Sequence, residues 1–234
     1  MIKVENVEVY GWEAAIRGMR NPMNSWDKSD SYPAVDCGKC GKIEREGCCP
    51  VEGRDCTGFY CYEIGKNDLK LMKTLVAAGP DHGKFLRMIT VTLDIVAPLY
   101  WWKEMDTYSV GVVKNSCSTM HKIADKPFTL YDFSYEHLEG EYLNSLQETI
   151  RLLNSAREMY LWEKRQKEHL VSPKDYWWQL IQLLPSSYNQ RRTVMLNYAV
   201  LKSIYHAQKG HKLDEWNKFC QWIEGLPYSE LITV

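Results

Sequence analysis

Residues 88–105 of this 234-residue chain, MITVTLDIVAPLYWWKEM, carry the two patterns on which the fold prediction depends. Apolar and polar side chains first alternate, in the order Ile89, Thr90, Val91, Thr92, Leu93, Asp94 and Ile95. A period of two is typical of a strand with one buried face. Ala97-Pro98 ends the alternation, and proline suits the first turn of a helix. The stretch therefore predicts a strand followed directly by a short helix.

Similar patterns predict the elements on either side. A strand over residues 1–11 and a short helix stopped by Asn21-Pro22 come before it. A helix over residues 66–79 has Asn67 or Asp68 as a candidate cap and Gly79 at its end. Helical patterns fill most of the C-terminal half, at 141–170, 173–184, 189–210 and 213–225. Because the helices cluster instead of alternating with strands, we predict an α+β fold.

The composition predicts one domain over residues 1–234, with a Cys-rich insertion at about 36–62. A net charge of −1 gives no basis for bulk electrostatic binding to nucleic acid or to an anionic membrane. The N-terminal MIKVENVEVY lacks the apolar centre of a signal peptide, and no apolar run approaches the length of a transmembrane helix. We therefore expect a cytoplasmic protein whose cysteines are mostly reduced.

Six of the eight cysteines lie between residues 37 and 61. Cys37 and Cys40 have the spacing of a zinc knuckle, in which two thiolates on one turn share a tetrahedral ion. Cys48 or Cys49, with Cys56 or Cys61, could complete such a site, and we take Cys37, Cys40, Cys56 and Cys61 as the candidate structural zinc ligands. Free thiols in a loop are an equal alternative, a reactive thiol pair a smaller one, and disulfides are least favoured.

Two further stretches could bind an anion. LLPSSYNQRRT, residues 183–193, places Gln190, Arg191 and Arg192 after a helix-breaking proline, at the predicted start of the next helix. Free N–H groups and a guanidinium there suit a phosphate, although ordinary capping with solvated arginines is the alternative. MDTYSVGVVKNSCSTMHK, residues 105–122, is rich in hydroxyls, with His121 and Lys122 at its end. By itself it is typical of a polar loop that leads into a capped helix.

Together these stretches resemble the flavin-dependent thymidylate synthases. That family has a strand ending in Ala-Pro, a helix, and then an Arg-His-Arg signature, followed later by Leu-Pro, an Arg and an Asn. Ala97-Pro98, Leu184-Pro185, Arg191 and Asn197 fall at matching places. The resemblance covers about residues 66–122 and 175–225.

The resemblance implies a helix-rich α+β fold with a small antiparallel or mixed sheet, and a homotetramer that binds FAD and dUMP. It implies that a methylene group from methylenetetrahydrofolate is reduced by flavin hydride drawn from NADPH, which gives dTMP or a related modified nucleotide. The implied nucleotide-binding residues are Ser116, Ser118, Lys122, Gln190 and Arg191. The implied cofactor-binding residues are His82, Glu104, Asn115, His121 and Asn197. No catalytic residue is assigned.

The signature itself differs in this chain. Thr107-Tyr108-Ser109 stands where the family has Arg-His-Arg, so most of the positive charge of that loop is missing. Lys114, His121 and Lys122 could supply a different grip on a phosphate. The alternative functions are a nucleotide-binding protein that has kept the fold without the flavin, and an interaction protein whose aromatic surface forms an oligomer.

Overall fold

A computed structural model describes residues 1–36 and 59–234. The helices of these residues are α1 to α9, with the bounds Trp12–Arg20, Lys66–Ala77, Leu99–Met105, Thr119–Lys122, Gly140–Glu163, Pro173–Leu183, Tyr198–Gln208, Asp214–Glu224 and Glu230–Thr233. The strands are β1 to β6, with the bounds Lys3–Tyr10, Tyr32–Asp36, Phe59–Glu63, Thr90–Pro98, Val113–Ser116 and Asn189–Asn197. The α+β prediction is confirmed.

Four strands form one antiparallel sheet in the order β1-β4-β6-β5, and β2 pairs with β3 in a separate hairpin. The strand predicted in the first half of residues 88–105 is β4, one of the two central strands of this sheet, since it lies between β1 and β6. One face is buried under helices through Val91, Leu93 and Ile95 of β4 and Val194 and Leu196 of β6. We call this face the covered face and the other the open face.

Two hydrophobic clusters fill the interior of the described residues. The larger joins the covered face to helices α1, α2, α3, α7 and α8, and includes the fully buried Trp101, Trp102 and Trp216. The smaller lies where α5 packs on α6 and includes Leu153, Leu180 and Phe133. No helix of the described residues is long and apolar enough to cross a bilayer.

The predicted N-terminal caps of α2, Asn67 or Asp68, are wrong, whereas Gly79 ends the helix as predicted, with a φ of 109°. Asp68 lies within the helix and its side chain is buried, where its carboxylate accepts a hydrogen bond from Arg20 Nε at 2.6 Å. The Asp30 carboxylate caps α2 from a distant loop, since its oxygens accept hydrogen bonds from the N–H groups of Asn67 and Asp68 at 2.9 and 3.0 Å. A cap that comes from 37 residues upstream leaves no local sequence signal.

Candidate functional site

The segment 189–197, predicted as the start of a helix, is strand β6. Its N–H groups face β4 and β5 in the sheet, so the helix N-terminus predicted to bind an anion through Arg191 and Arg192 does not exist. Helix α7 begins only at Tyr198, and the side-chain oxygen of Asn197 accepts a hydrogen bond from Val200 N at 3.1 Å. Asn197, predicted to bind the cofactor, therefore caps a helix.

Arg191 lies on the open face and is held by two carboxylates. Its guanidinium lies 2.7 Å from Asp94 Oδ2 and 3.3 Å from Glu5 Oε2. Thr193 Oγ1 also donates to Asp94, at 2.6 Å. The hydrogen bond from Arg191, with those from Thr193 and Asn6, lowers the pKa of Asp94 to about 2. The positive charge of Arg191 is therefore offset by two carboxylates of the same chain.

Residues 105–122, which by themselves were typical of a polar loop, are partly a strand. Residues 113–116 form β5, in which Asn115 faces Thr193 on the open face and Ser116 faces Arg192 on the covered face. Ser118 caps α4, because its Oγ accepts a hydrogen bond from His121 N at 3.1 Å. The structure therefore separates Asn115 from Ser116, and it gives Ser118 the capping role that the sequence left open.

Three other predicted site residues make contacts within the chain or lie far from the rest of the predicted site. Gln190 is buried, and its Nε2 donates to the carbonyl oxygen of Cys117 at 2.8 Å, which ties the β5–α4 loop to the sheet. Lys122 pairs with Asp125 at 3.0 Å on the surface. His82 is exposed and precedes β4, at the opposite end of that strand from Pro98.

Two cations hold the segment that replaces the missing signature. Arg192 Nη1 donates to both oxygens of Asp106 at 2.8 and 3.1 Å, and its guanidinium lies 4.3 Å from the Trp102 ring centre. Lys114 Nζ lies 3.2 Å from Asp106 and donates to the carbonyl oxygens of Met105 and Tyr108. Both side chains are largely buried. They anchor residues 105–108 against the end of the sheet.

Next to these contacts lies a cluster of polar side chains, of which only Glu104 was among the predicted site residues. Glu104 accepts hydrogen bonds from Trp216 Nε1 at 2.8 Å and from Gln208 Nε2 at 3.0 Å, and His211 Nε2 lies 3.6 Å away. Gln208 Nε2 also approaches the Tyr108 hydroxyl at 2.9 Å. We call these five residues the Glu104 cluster. It joins α3 to α7 and α8, so no spacing within one element predicts it.

The Glu104 cluster also contains an unsatisfied atom. Three buried side-chain polar atoms of the described residues have no hydrogen-bond partner: Trp101 Nε1, Glu163 Oε2 and Gln208 Oε1. Gln208 belongs to the cluster, and the ring of Trp101 lies 4.7 Å from that of Trp216. Buried polar atoms are nearly always paired, so an unpaired one distinguishes this cluster from the other polar groups of the described residues. This cluster is therefore the best candidate site in the described residues.

The predicted zinc ligands Cys37, Cys40 and Cys56 lie outside the described residues, as does the side chain of Cys61. Within residues 1–36 and 59–234, no three His, Cys, Asp or Glu side chains are grouped to hold a metal ion. Zinc binding by this segment stays a prediction. The described free thiols are Cys117, exposed on the β5–α4 loop, and Cys220, buried in α8.

The helix-rich fold with its small antiparallel sheet is similar to that of the flavin-dependent thymidylate synthases, as the sequence resemblance predicted. Two solved structures of thymidylate synthase X from Helicobacter pylori, with FAD and dUMP, match this chain with TM-scores of 0.61 and 0.64. Each is 13% identical, and the matches cover 100% and 98% of this chain and 97% of theirs.

A UMP/dUMP methylase from Streptomyces cacaoi, bound to 5-bromo-dUMP, also matches, with a TM-score of 0.53 and 14% identity. That match covers 100% of this chain and 93% of the methylase. No family model and no curated protein matches the sequence. At these identities the comparisons show the fold, and the function rests on the site.

Proposed function

We propose that this chain binds a pyrimidine deoxynucleotide and modifies it as a divergent relative of the flavin-dependent thymidylate synthases. The reaction would transfer a methylene group from methylenetetrahydrofolate and reduce it through FAD and NADPH, giving dTMP or a related nucleotide. The supporting observation is a fold likeness that spans nearly the whole of both chains, to structures that hold FAD and dUMP. The Glu104 cluster is the place where we expect the nucleotide base.

The described residues fit a heterocyclic ring better than they fit a flavin diphosphate. Tyr108 offers a partly exposed ring that packs against the buried Trp216, and Gln208 Oε1 has no hydrogen-bond partner. In contrast, Arg191, Arg192 and Lys114 are each paired with carboxylates of the same chain. A dinucleotide would therefore need cations from elsewhere. This is one reason to propose a homotetramer, in which a second copy contributes to each site.

The proposal is tested by the absorbance spectrum and native mass of the purified protein. Bound FAD would give a band near ~450 nm, which is a property of the cofactor. The same sample should have four times the 27.4 kDa mass of one chain. A colourless protein that gains no such band when FAD is added would contradict the flavin-dependent function.

One observation favours a second candidate function. Asn197 caps α7, and His82 lies at the opposite end of β4 from α3, so two residues implied to bind the flavin are engaged within the chain or lie apart from the Glu104 cluster. A protein that binds a nucleotide without using flavin would have this property. It would melt at a higher temperature with dUMP alone, because a ligand that binds only the folded state stabilises that state. An unchanged melting curve would exclude this alternative.

A further inference from the structure

A cavity at the corner between β1 and α1 lies apart from the proposed nucleotide site. Its volume is about 1150 Å³, which is enough for a drug-sized ligand. Its lining comes from β1 and α1, from the β2–β3 hairpin, and from α8 with the turn that leads to α9. None of the lining residues belongs to the Glu104 cluster. A ligand of this cavity would therefore bind independently of the nucleotide.

Aromatic side chains line the cavity from all of these elements. Tyr10 is 56% exposed, and Tyr62, Trp222 and Tyr228 are partly exposed. Trp12 is 7% exposed, and it packs against Tyr228 in an edge-to-face arrangement with 5.2 Å between ring centres. The face of an aromatic ring carries a negative potential, so it attracts a cation as well as an apolar group. The lining therefore suits a ligand that has both.

The ring of Tyr228 is fixed in place by the chain itself. Tyr228 has a φ of 52°, a conformation that residues with a bulky side chain rarely adopt. Its hydroxyl accepts a hydrogen bond from Ile64 N at 2.9 Å, which ties the turn after α8 to the end of the hairpin. A strained backbone of this kind persists only where the surrounding structure holds it. The ring is thus in position before any ligand binds.

The charges of the cavity leave one carboxylate without a counter-ion. Its charged lining residues are Glu8, Glu13 and Arg17. Arg17 Nη1 lies 3.1 Å from Glu13 Oε1, whereas Glu8 has no ion-pair partner in the described part of the chain. Partial desolvation raises the pKa of the Tyr10 hydroxyl, and the negative charge of Glu8 raises it further. Two carboxylates and one guanidinium give a net charge of −1, which favours a cation over an anion.

We propose that this cavity binds an organic cation, with an alkylated ammonium group against the rings of Tyr10 and Tyr62 and with Glu8 as its counter-ion. Aromatic rings combined with negative charge recognise methylated ammonium groups in other proteins. A metal ion does not fit, because it requires several oxygen or nitrogen ligands and no such group of side chains occurs in the described residues. A neutral ligand would desolvate Glu8 without pairing its charge.

Calorimetric titration of the full chain tests the proposal with two probes of the same shape. Choline carries a trimethylammonium group, and 3,3-dimethylbutan-1-ol replaces its nitrogen with a neutral carbon. At constant ionic strength we expect saturable binding of choline at millimolar concentrations, about tenfold tighter than binding of the alcohol. Equal affinities for the two probes would overturn recognition of the cation. An absence of saturable choline binding would overturn the site as a whole.

Two variants at accessible positions then locate the bound cation. We expect Glu8→Gln and Tyr10→Leu each to weaken choline binding about fivefold, because each removes one attraction for the positive charge. Glu158→Gln and Tyr131→Leu are the matched controls, since both residues are exposed and lie outside the cavity. If the test variants bind choline as tightly as the controls and the wild type, choline binds elsewhere and the proposed site is wrong. Circular dichroism would confirm that all four variants fold.

Discussion

Single residues in this chain are positioned by charge pairs between residues that are far apart in the sequence. Asp94 looked like one polar member of an alternating strand. It is instead the centre of a group on the open face in which Arg191, Thr193 and Asn6 all donate to its carboxylate. The same contacts engage Arg191, for which the resemblance implied a phosphate-binding role. One carboxylate thus changes the interpretation of a residue 97 positions later.

Replacing Asp94 with Asn should therefore reduce stability in a pH-dependent way. The pKa of Asp94 in the folded chain is about 2, below its ordinary value of 3.8, so the contribution to stability is complete above pH 3.8 and is lost as the pH falls towards 2. We expect Asp94→Asn to lower the free energy of unfolding by about 1 kcal/mol at neutral pH, after allowance for solvent screening. The difference from wild type should shrink as the pH falls through that window.

Urea denaturation at several pH values would measure this difference. Asp81→Asn is the control, since Asp81 is exposed. If the difference in free energy of unfolding between Asp94→Asn and wild type stays constant from neutral pH to pH 2, the ion pair contributes nothing to stability.

At the scale of elements, the loops between strands and helices depend on close backbone approaches. Gly11 joins β1 to α1 with a φ of 94°, a conformation that other residues rarely adopt. A Cβ atom there would lie 2.0 Å from the carbonyl oxygen of Met88. The glycine therefore allows the β1–α1 corner to lie against the segment that leads into β4.

Gly11→Ala should destabilise the fold by at least ~2 kcal/mol, because it adds steric overlap with the backbone to the strain of positive φ. Gly79→Ala is the matched comparison. Gly79 has a φ of 109°, yet nothing lies within 4 Å of a Cβ atom built there. We expect a cost of only about 1 kcal/mol for Gly79→Ala, from the backbone alone. If thermal or chemical denaturation gave equal costs for the two variants, the contact with Met88 would not contribute to the effect of Gly11→Ala.

The error over β6 belongs to the same scale. The sequence predicts one helix over residues 189–210, of which only the part from Tyr198 onwards is helical. In the structure Gln190, Val194 and Leu196 are buried on one face, while Arg191, Thr193 and Met195 are exposed on the other. This alternation was present in the sequence, but Arg192 at a covered position obscured it. Arg192 can occupy that position because Asp106 and the Trp102 ring accept its charge.

At the scale of the whole molecule, the described residues hold two hydrophobic clusters of unequal size. The smaller depends on α5 and α6, which pack against each other away from the central sheet. The effect of a substitution in α5 on stability should therefore depend on whether the altered side chain faces this cluster. Leu153 is fully buried in this cluster, whereas its neighbour Leu152 is 42% exposed.

We expect Leu153→Ala to lower the free energy of unfolding by about 2–5 kcal/mol, through lost apolar burial and the cavity left behind. Leu152→Ala should cost under about 1 kcal/mol, since its side chain is already partly in water. Both values come from urea denaturation followed by circular dichroism. Equal costs for the two variants would contradict the packing of α5 on α6.

The sequence by itself determined the elements with clear local patterns. The alternation at Ile89–Ile95 predicted β4, Pro98 marked the start of α3, and the helical pattern at 173–184 predicted α6, which Ser172 caps. These signals are local because periodicity and capping involve residues a few positions apart. The order of such elements was also enough to predict the thymidylate synthase fold.

Only the tertiary structure decided which polar side chains remain available to a ligand. Arg191 and Ser118 were candidates by type, but Asp94 and the start of α4 occupy them. Tyr108, Gln208 and Trp216 join Glu104 from separate helices or the loop after α3, and no local pattern links them. The physical reason is that pairing between charges and hydrogen-bonding groups depends on distance in space, and only the folded chain sets that distance.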